Sequence, residues 1–428
     1  MNAELFETME AEVRSYCRNF PAIFSSGRGA TLTDVNGDTY IDFLAGAGTL
    51  NYGHNHPRIR ESVINYMLGD GVAHALDMHT VAKHEFLTGL QEIILRPRGL
   101  DYKVTFPGPT GTNAVETAFK YARRATGRQN IIAFTNGFHG MTLGALAASA
   151  TRGKRMGASV PLANVMRAPF EGYLGDMDTA GYLEKLLSDS GSGVDLPAAI
   201  IVETIQAEGG LNTASGDWLR RIATVARQHG AMLIVDDIQA GCGRSGSFFS
   251  FDHMGFTPDM VCLSKAIGGM GLPMALVLLR PDLDVLRPGE HNGTFRGNNL
   301  AFVAARAALE LWRDPNFGSE LEAKGEMIRA RLTKIANRYK DEGAHVRGRG
   351  LMLGLGWHDP GVAARVSQAA FQRGVIAETT GSDDQVLKLL PPLTISDQEL
   401  LCGLEGVEGA IGEVMMRGSG GGALQAAE

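Results

Sequence analysis

Cysteine is scarce: the 428 residues hold only Cys17, Cys242, Cys262 and Cys402, with no CxxC pair and no zinc-type cluster. Neither a disulfide framework nor a metal site is therefore expected. Long apolar runs are missing too. None approaches the roughly 20 residues that cross a bilayer, which argues against a membrane role. Nor is there a surplus of positive charge. Forty Lys and Arg against 47 Asp and Glu leave a formal net charge of −7. The basic residues are scattered and form no stripe, so nucleic acid is not an expected partner and small molecules are. The opening MNAELFETMEAEV is acidic and amphipathic where a secretion signal would be basic and then apolar. The expected setting is a reducing cytoplasm.

What is present is a globular composition, 44% hydrophobic and 20% charged, in a chain long enough for a major and a minor domain. The middle alternates short β-rich runs with amphipathic stretches, the pattern of a mostly parallel sheet wrapped by helices. Strands are expected over Lys103–Phe106, Asn130–Phe134, Ala198–Glu203, Ala231–Asp236, Asp259–Ser264 and Met274–Leu279. Between two of them, Asp217–Gln228 puts Leu219, Ile222, Ala223 and Ala226 on one face, the spacing of a covering helix.

The ends read differently. GRGATLTDVNGDTYIDF alternates apolar and polar positions around Asn36-Gly37, a hairpin signal. The expected division is an N-terminal segment of the small domain over 1–60, a large domain over 61–312, the rest of the small α+β domain over 313–416, and a disordered tail over 417–428.

Three places combine into chemistry. LIVDDIQAGCGRSG is a buried strand that stops on Asp236 and enters a glycine-rich turn; DMVCLSK is a second strand, ending on Lys265. Ligands gather at such carboxyl ends in open α/β sheets. FPGPTGTNAVETAFKYARR supplies a strand, a loop and a helix from about Asn113, so the N–H groups of Gly111 and Thr112 offer an anion site. Each feature alone also suits a plain structural role, as a cap or a surface lysine. Together, an anion cup, an acid and an amine at three strand ends are the parts that pyridoxal 5'-phosphate (PLP) needs.

DDIQAGCGRSG, LSKAIGG, NGFHG, TGT and GTFRGNN resemble the central motifs of the class III aminotransferases of PLP fold type I, over roughly Gly27 to Leu393. That resemblance implies an α/β fold: a large domain with a mostly parallel seven-stranded sheet covered by helices, plus a smaller α+β domain. It further implies that Asp236 holds the pyridine nitrogen, Gln239 bonds the phenolic oxygen and Phe138 stacks on the ring, with His139 beside it. Gly111, Thr112 and, from a second copy, Thr294 would hold the phosphate, so the active unit would be a homo-oligomer, at least a dimer with shared sites. Lys265 would carry the cofactor and then move the proton at the substrate carbon.

FPAIF, NYGHNHP, DMHTVAK, GVDLPAAIIVETIQ and GEHNGTFRGNNLAFV resemble, within that family, the branch serving ectoine biosynthesis. Its members move the amino group of L-glutamate to L-aspartate 4-semialdehyde, giving L-2,4-diaminobutyrate and 2-oxoglutarate. Siderophore-pathway diaminobutyrate, acetylornithine and 4-aminobutyrate pairings stay open, as do other PLP chemistries. A non-catalytic regulator is disfavoured by the retained Lys265 and Asp236.

Substrate contacts are expected from Glu203, Glu208, Lys388 and Arg296. Glu208 matches a family glutamate that pairs with an arginine before the PPL turn, where this chain has Lys388, a point charge without a fork. The expectation is that Glu208 covers Lys388 and swings aside when glutamate brings its α-carboxylate. Arg296 stands where many members have glycine. The family's Asp-Glu pair is here Asp236-Asp237.

Overall fold

The computed structural model describes residues 3–420. Its main sheet has seven strands, in the order Lys103–Thr105, Leu276–Leu279, Met260–Leu263, Met232–Asp236, Ala199–Val202, Ile131–Phe134 and Val165–Ala168. All run parallel except Leu276–Leu279, which is antiparallel to both neighbours. Ala199–Val202, Ile131–Phe134 and Met260–Leu263 are buried at every position, which is why they read as unbroken apolar runs without alternation.

Each sheet face has its own helix. Ile131, Ala133, Ile201 and Ile234 pack with Ala114, Val115 and Phe119 of the helix Gly111–Thr126. Ile132, Ile200, Leu233 and Val235 pack with Trp218, Leu219 and Ile222 of the helix Gly216–Gln228, capped by Ser215 accepting from Trp218 N. The six expected strands form with ends trimmed by a residue or two. The seventh, Val165–Ala168, had no signal: it is an edge strand of four residues, only one of them buried.

The N-terminal hairpin forms as read. Thr31–Asp34 pairs antiparallel with Thr39–Asp42, Gly37 takes a positive φ of 89°, and Asp34 Oδ1 accepts from Asn36 N and Asp38 N. The short strand Val375–Ile376 pairs parallel with Thr39–Asp42, joining the start of the chain to its last third. A separate four-stranded sheet runs in the order His345–Arg349, Met352–Gly356, Val386–Leu389 and Glu378–Thr380. The final helix, Asp397–Gly420, takes in residues 417–420 of the expected tail, and 421–428 lie outside the described residues.

Candidate active site

The strand ends converge as the motifs require. Asp236 is the last residue of Met232–Asp236, in register with Cys262 of the neighbouring strand, and Lys265 follows that neighbour after one residue. Lys265 is held at φ 52°, a left-handed conformation that non-glycine residues adopt at a cost. Gly111, Thr112, Phe138, His139, Glu203, Glu208, Asp236, Gln239 and Lys265 line one cavity of about 170 Å³. A larger hollow of about 710 Å³ beside Arg18 and Arg417 carries no comparable set, so chemistry and not size marks the site.

Asp236 is buried and aimed. Its Oδ2 meets His139 Nδ1 at 2.7 Å and its Oδ1 accepts from Ile238 N at 3.2 Å. His139, buried as well, therefore holds the acid that would hold the cofactor ring. Lys265 Nζ donates to Ala47 O at 3.0 Å, and the same carbonyl accepts from Gln239 Nε2 at 2.9 Å. Burial draws the Lys265 amine below the ordinary lysine pKa, against an opposing pull from Glu208, which favours the neutral nucleophile. Ala47 itself sits at φ 55°, in a strained Ala45–Gly48 turn that aims its carbonyl inward.

Glu203 Oε2 accepts from Phe138 N at 2.9 Å, and burial plus the nearby Asp236 push its carboxyl well above the usual range. Its carboxyl fastens the Phe138 backbone. Glu208 answers to Lys388 instead: burial raises its carboxyl, but Lys388 and Lys265 outweigh that and hold it at about 2.

The residues present fit PLP. The N–H groups of Gly111 and Thr112 open the helix Gly111–Thr126 and lack intrahelical acceptors. A Cβ on Gly140 would lie 2.3 Å from Thr112 Oγ1, and one on Gly111 would lie 3.0 Å from Ile238 Cδ1, so these glycines keep the anion cup clear. Asp236 suits a pyridinium and Lys265 an aldehyde carbon, both on the same cavity.

Not every expected residue reaches it. Lys388 is fully buried behind Glu208 and Gln239, with Nζ 2.9 Å from Glu208 Oε1 and 3.0 Å from Glu378 Oε1. The Glu208–Lys388 pair thus forms, but a second carboxylate grips the lysine from the far side. The expected swing of Glu208 would leave Lys388 still paired with Glu378, and Lys388 itself stands behind the cavity wall. Thr294 is exposed and Arg296 half-buried, 4.0 Å from Asp77; neither lies on the wall of this chain's cavity. Glu378, Tyr16 and the Ala47 carbonyl had no sequence signal, because only folding brings Tyr16 Oη to 3.2 Å from Glu378 Oε2.

Comparisons with known proteins agree with this geometry. The family model described as aminotransferase class-III matches residues 13–411. The diaminobutyrate–2-oxoglutarate transaminase of Halalkalibacterium halodurans is 51% identical over 95% of this chain and 96% of its own. That of Nocardia farcinica is 52% identical over 96% and 94%. A crystal structure of Toxoplasma gondii ornithine aminotransferase, with PLP partly occupying its active site, superposes with a TM-score of 0.84 at 27% identity, covering 97% of this chain and 94% of that one. With the lysine, the acid and the anion cup assembled on one cavity and the match spanning nearly the whole length, the chain belongs to the class-III aminotransferases.

Proposed function

We propose that this chain transfers the amino group of L-glutamate to L-aspartate 4-semialdehyde, giving L-2,4-diaminobutyrate and 2-oxoglutarate, in the cytoplasm and at the entry to ectoine biosynthesis. The observation that carries the reading is the Lys265 amine in one cavity with Asp236 and Glu208, in a chain about half identical to two diaminobutyrate transaminases. Bound PLP supplies an aldehyde that takes up the amino group and a ring that withdraws electrons from the reacting carbon. Asp236, oriented by His139, keeps the ring nitrogen protonated. Gly111 and Thr112 hold the phosphate, and Phe138 supports the ring, its backbone tied down by Glu203. Lys265 would take the proton from the substrate carbon and return it to the former aldehyde carbon on the other side of the transferred nitrogen.

The proposed active unit is a dimer that brings Thr294, and with it Arg296, to the other copy's site. Exposed Leu76, Met78 and Phe295 near these residues support such a contact. The cytoplasmic setting is supported by four free cysteines, and no helix among the described residues is long and apolar enough to cross a membrane. Incubation of the holoenzyme with glutamate and aspartate 4-semialdehyde should yield diaminobutyrate and 2-oxoglutarate together. Turnover only with acetylornithine or 4-aminobutyrate would overturn the assignment.

A further inference from the structure

Lys388 Nζ directs its three protons to Glu208 Oε1 at 2.9 Å, Gln239 Oε1 at 3.3 Å and Ala207 O at 3.4 Å, while Glu378 Oε1 stands 3.0 Å away as an ion-pair partner. Two carboxylates share one cation, so the group as a whole is anionic. Glu378 is fixed in place: it stands directly across the antiparallel pair from Lys388, and Tyr16 Oη donates to its Oε2 at 3.2 Å. Glu208 is the member that faces the cavity, its side chain 23% exposed.

A short relay ties Glu208 to the reacting end. Lys265 Nζ and Gln239 Nε2 share the Ala47 carbonyl, and Gln239 Nε2 lies 3.4 Å from Glu208 Oε1. Two other cations, Lys265 and Lys154, also draw the Glu208 carboxyl down, and the remaining charged groups near this wall are otherwise engaged. Asp236 is engaged by His139, Glu203 accepts from Phe138 N, and Lys154 Nζ stands over Phe138, 4.3 Å from its ring.

We infer that Glu378 is a specificity-determining positioning residue: by sharing Lys388 from behind, it leaves the two carboxylates and their one lysine with a net negative charge, which Glu208 presents to the cavity and which selects substrates bearing a second ammonium near the reacting amine. The choice of substrate rests on the proposed reaction. The α-ammonium of diaminobutyrate lies two carbons from its reacting γ-carbon and is within reach of such a wall. Glutamate, whose carboxylate adjoins the reacting carbon, gains nothing from it.

The test compares kcat/KM of the holoenzyme in half-reactions with pairs that differ only in the α-ammonium: diaminobutyrate against 4-aminobutyrate, and ornithine against 5-aminopentanoate. Wild type should prefer the ammonium-bearing member by at least about tenfold, the worth of one charge-assisted hydrogen bond. Glu378→Gln should shrink that preference to about threefold or less without slowing the glutamate half-reaction, while Glu378→Asp retains it. An unchanged preference in a folded Glu378→Gln chain overturns the inference. Equal use of both members by the wild type overturns it without any variant. A wild type that ignores diaminobutyrate, yet shows an ornithine preference lost in Glu378→Gln, would overturn the proposed reaction and support the inference.

Discussion

Replacing Lys388 by methionine keeps the shape and removes the charge, and the structure sets the cost. In the wild type Lys388, the nearby cation with the largest pull, together with Lys265 outweighs burial and holds the Glu208 carboxyl at about 2, against an ordinary value of 4.5. That displacement corresponds to about 3 kcal/mol of folding stability, to be discounted somewhat because Glu208 remains 23% exposed. The figure agrees with the ~3–5 kcal/mol typically lost when one partner of a buried ion pair is removed. Because the folded pKa is depressed, the stabilisation is present above pH 4.5 and lost as pH falls towards about 2. Without the cation, Glu208 and Glu378 face each other across an apolar gap and repel unless one takes up a proton. The difference between wild type and Lys388→Met should therefore widen as pH rises. Urea unfolding of both holoenzymes, followed by circular dichroism, should show a gap of about 3 kcal/mol near pH 5 and a larger one near pH 8, where the variant's two carboxylates can no longer share a proton. A variant as stable as the wild type near pH 8, or a gap independent of pH, would refute the buried-pair reasoning.

Asp236→Asn should keep the fold and lower turnover by at least about a hundredfold, since a neutral amide cannot hold the ring nitrogen as a pyridinium; near-normal turnover would reject that role. Asp237 is a separate case: burial raises its carboxyl from 3.8 to about 7, so its contribution to stability is fully present below pH 3.8 and lost as pH rises through about 7. Asp237→Asn removes this term and should stabilise the protein near pH 8, by up to about 4 kcal/mol, and much less near pH 4. A melting temperature that rises equally at both pH values would contradict it. Mixing Lys265→Ala chains with Thr294→Asp chains should restore activity through hybrid sites. If subunit exchange is verified and no activity returns, the shared site is wrong.

The sheet and the chemistry at its strand ends were legible because both leave local marks. Buried parallel strands are short apolar runs, and Asp236 and Lys265 interrupt such runs where a polar residue needs a reason. The Asn36-Gly37 hairpin was legible for a similar cause, since only a few residues tolerate that turn. What escaped depends on distance along the chain. The relation of Lys388 to Glu378 is a register fact about two strands ten residues apart, and its relation to Tyr16 needs the whole fold. For Lys388 the sequence showed one carboxylate partner, Glu208, and the structure shows a second, Glu378, which strand register alone brings across from it.

Covalent attachment of PLP at Lys265 is most directly tested by reducing the holoenzyme with borohydride, digesting it and locating the cofactor mass by peptide sequencing. The label should fall on the peptide carrying Lys265. A label on Lys154, Lys388 or any other lysine would contradict the assignment of the site.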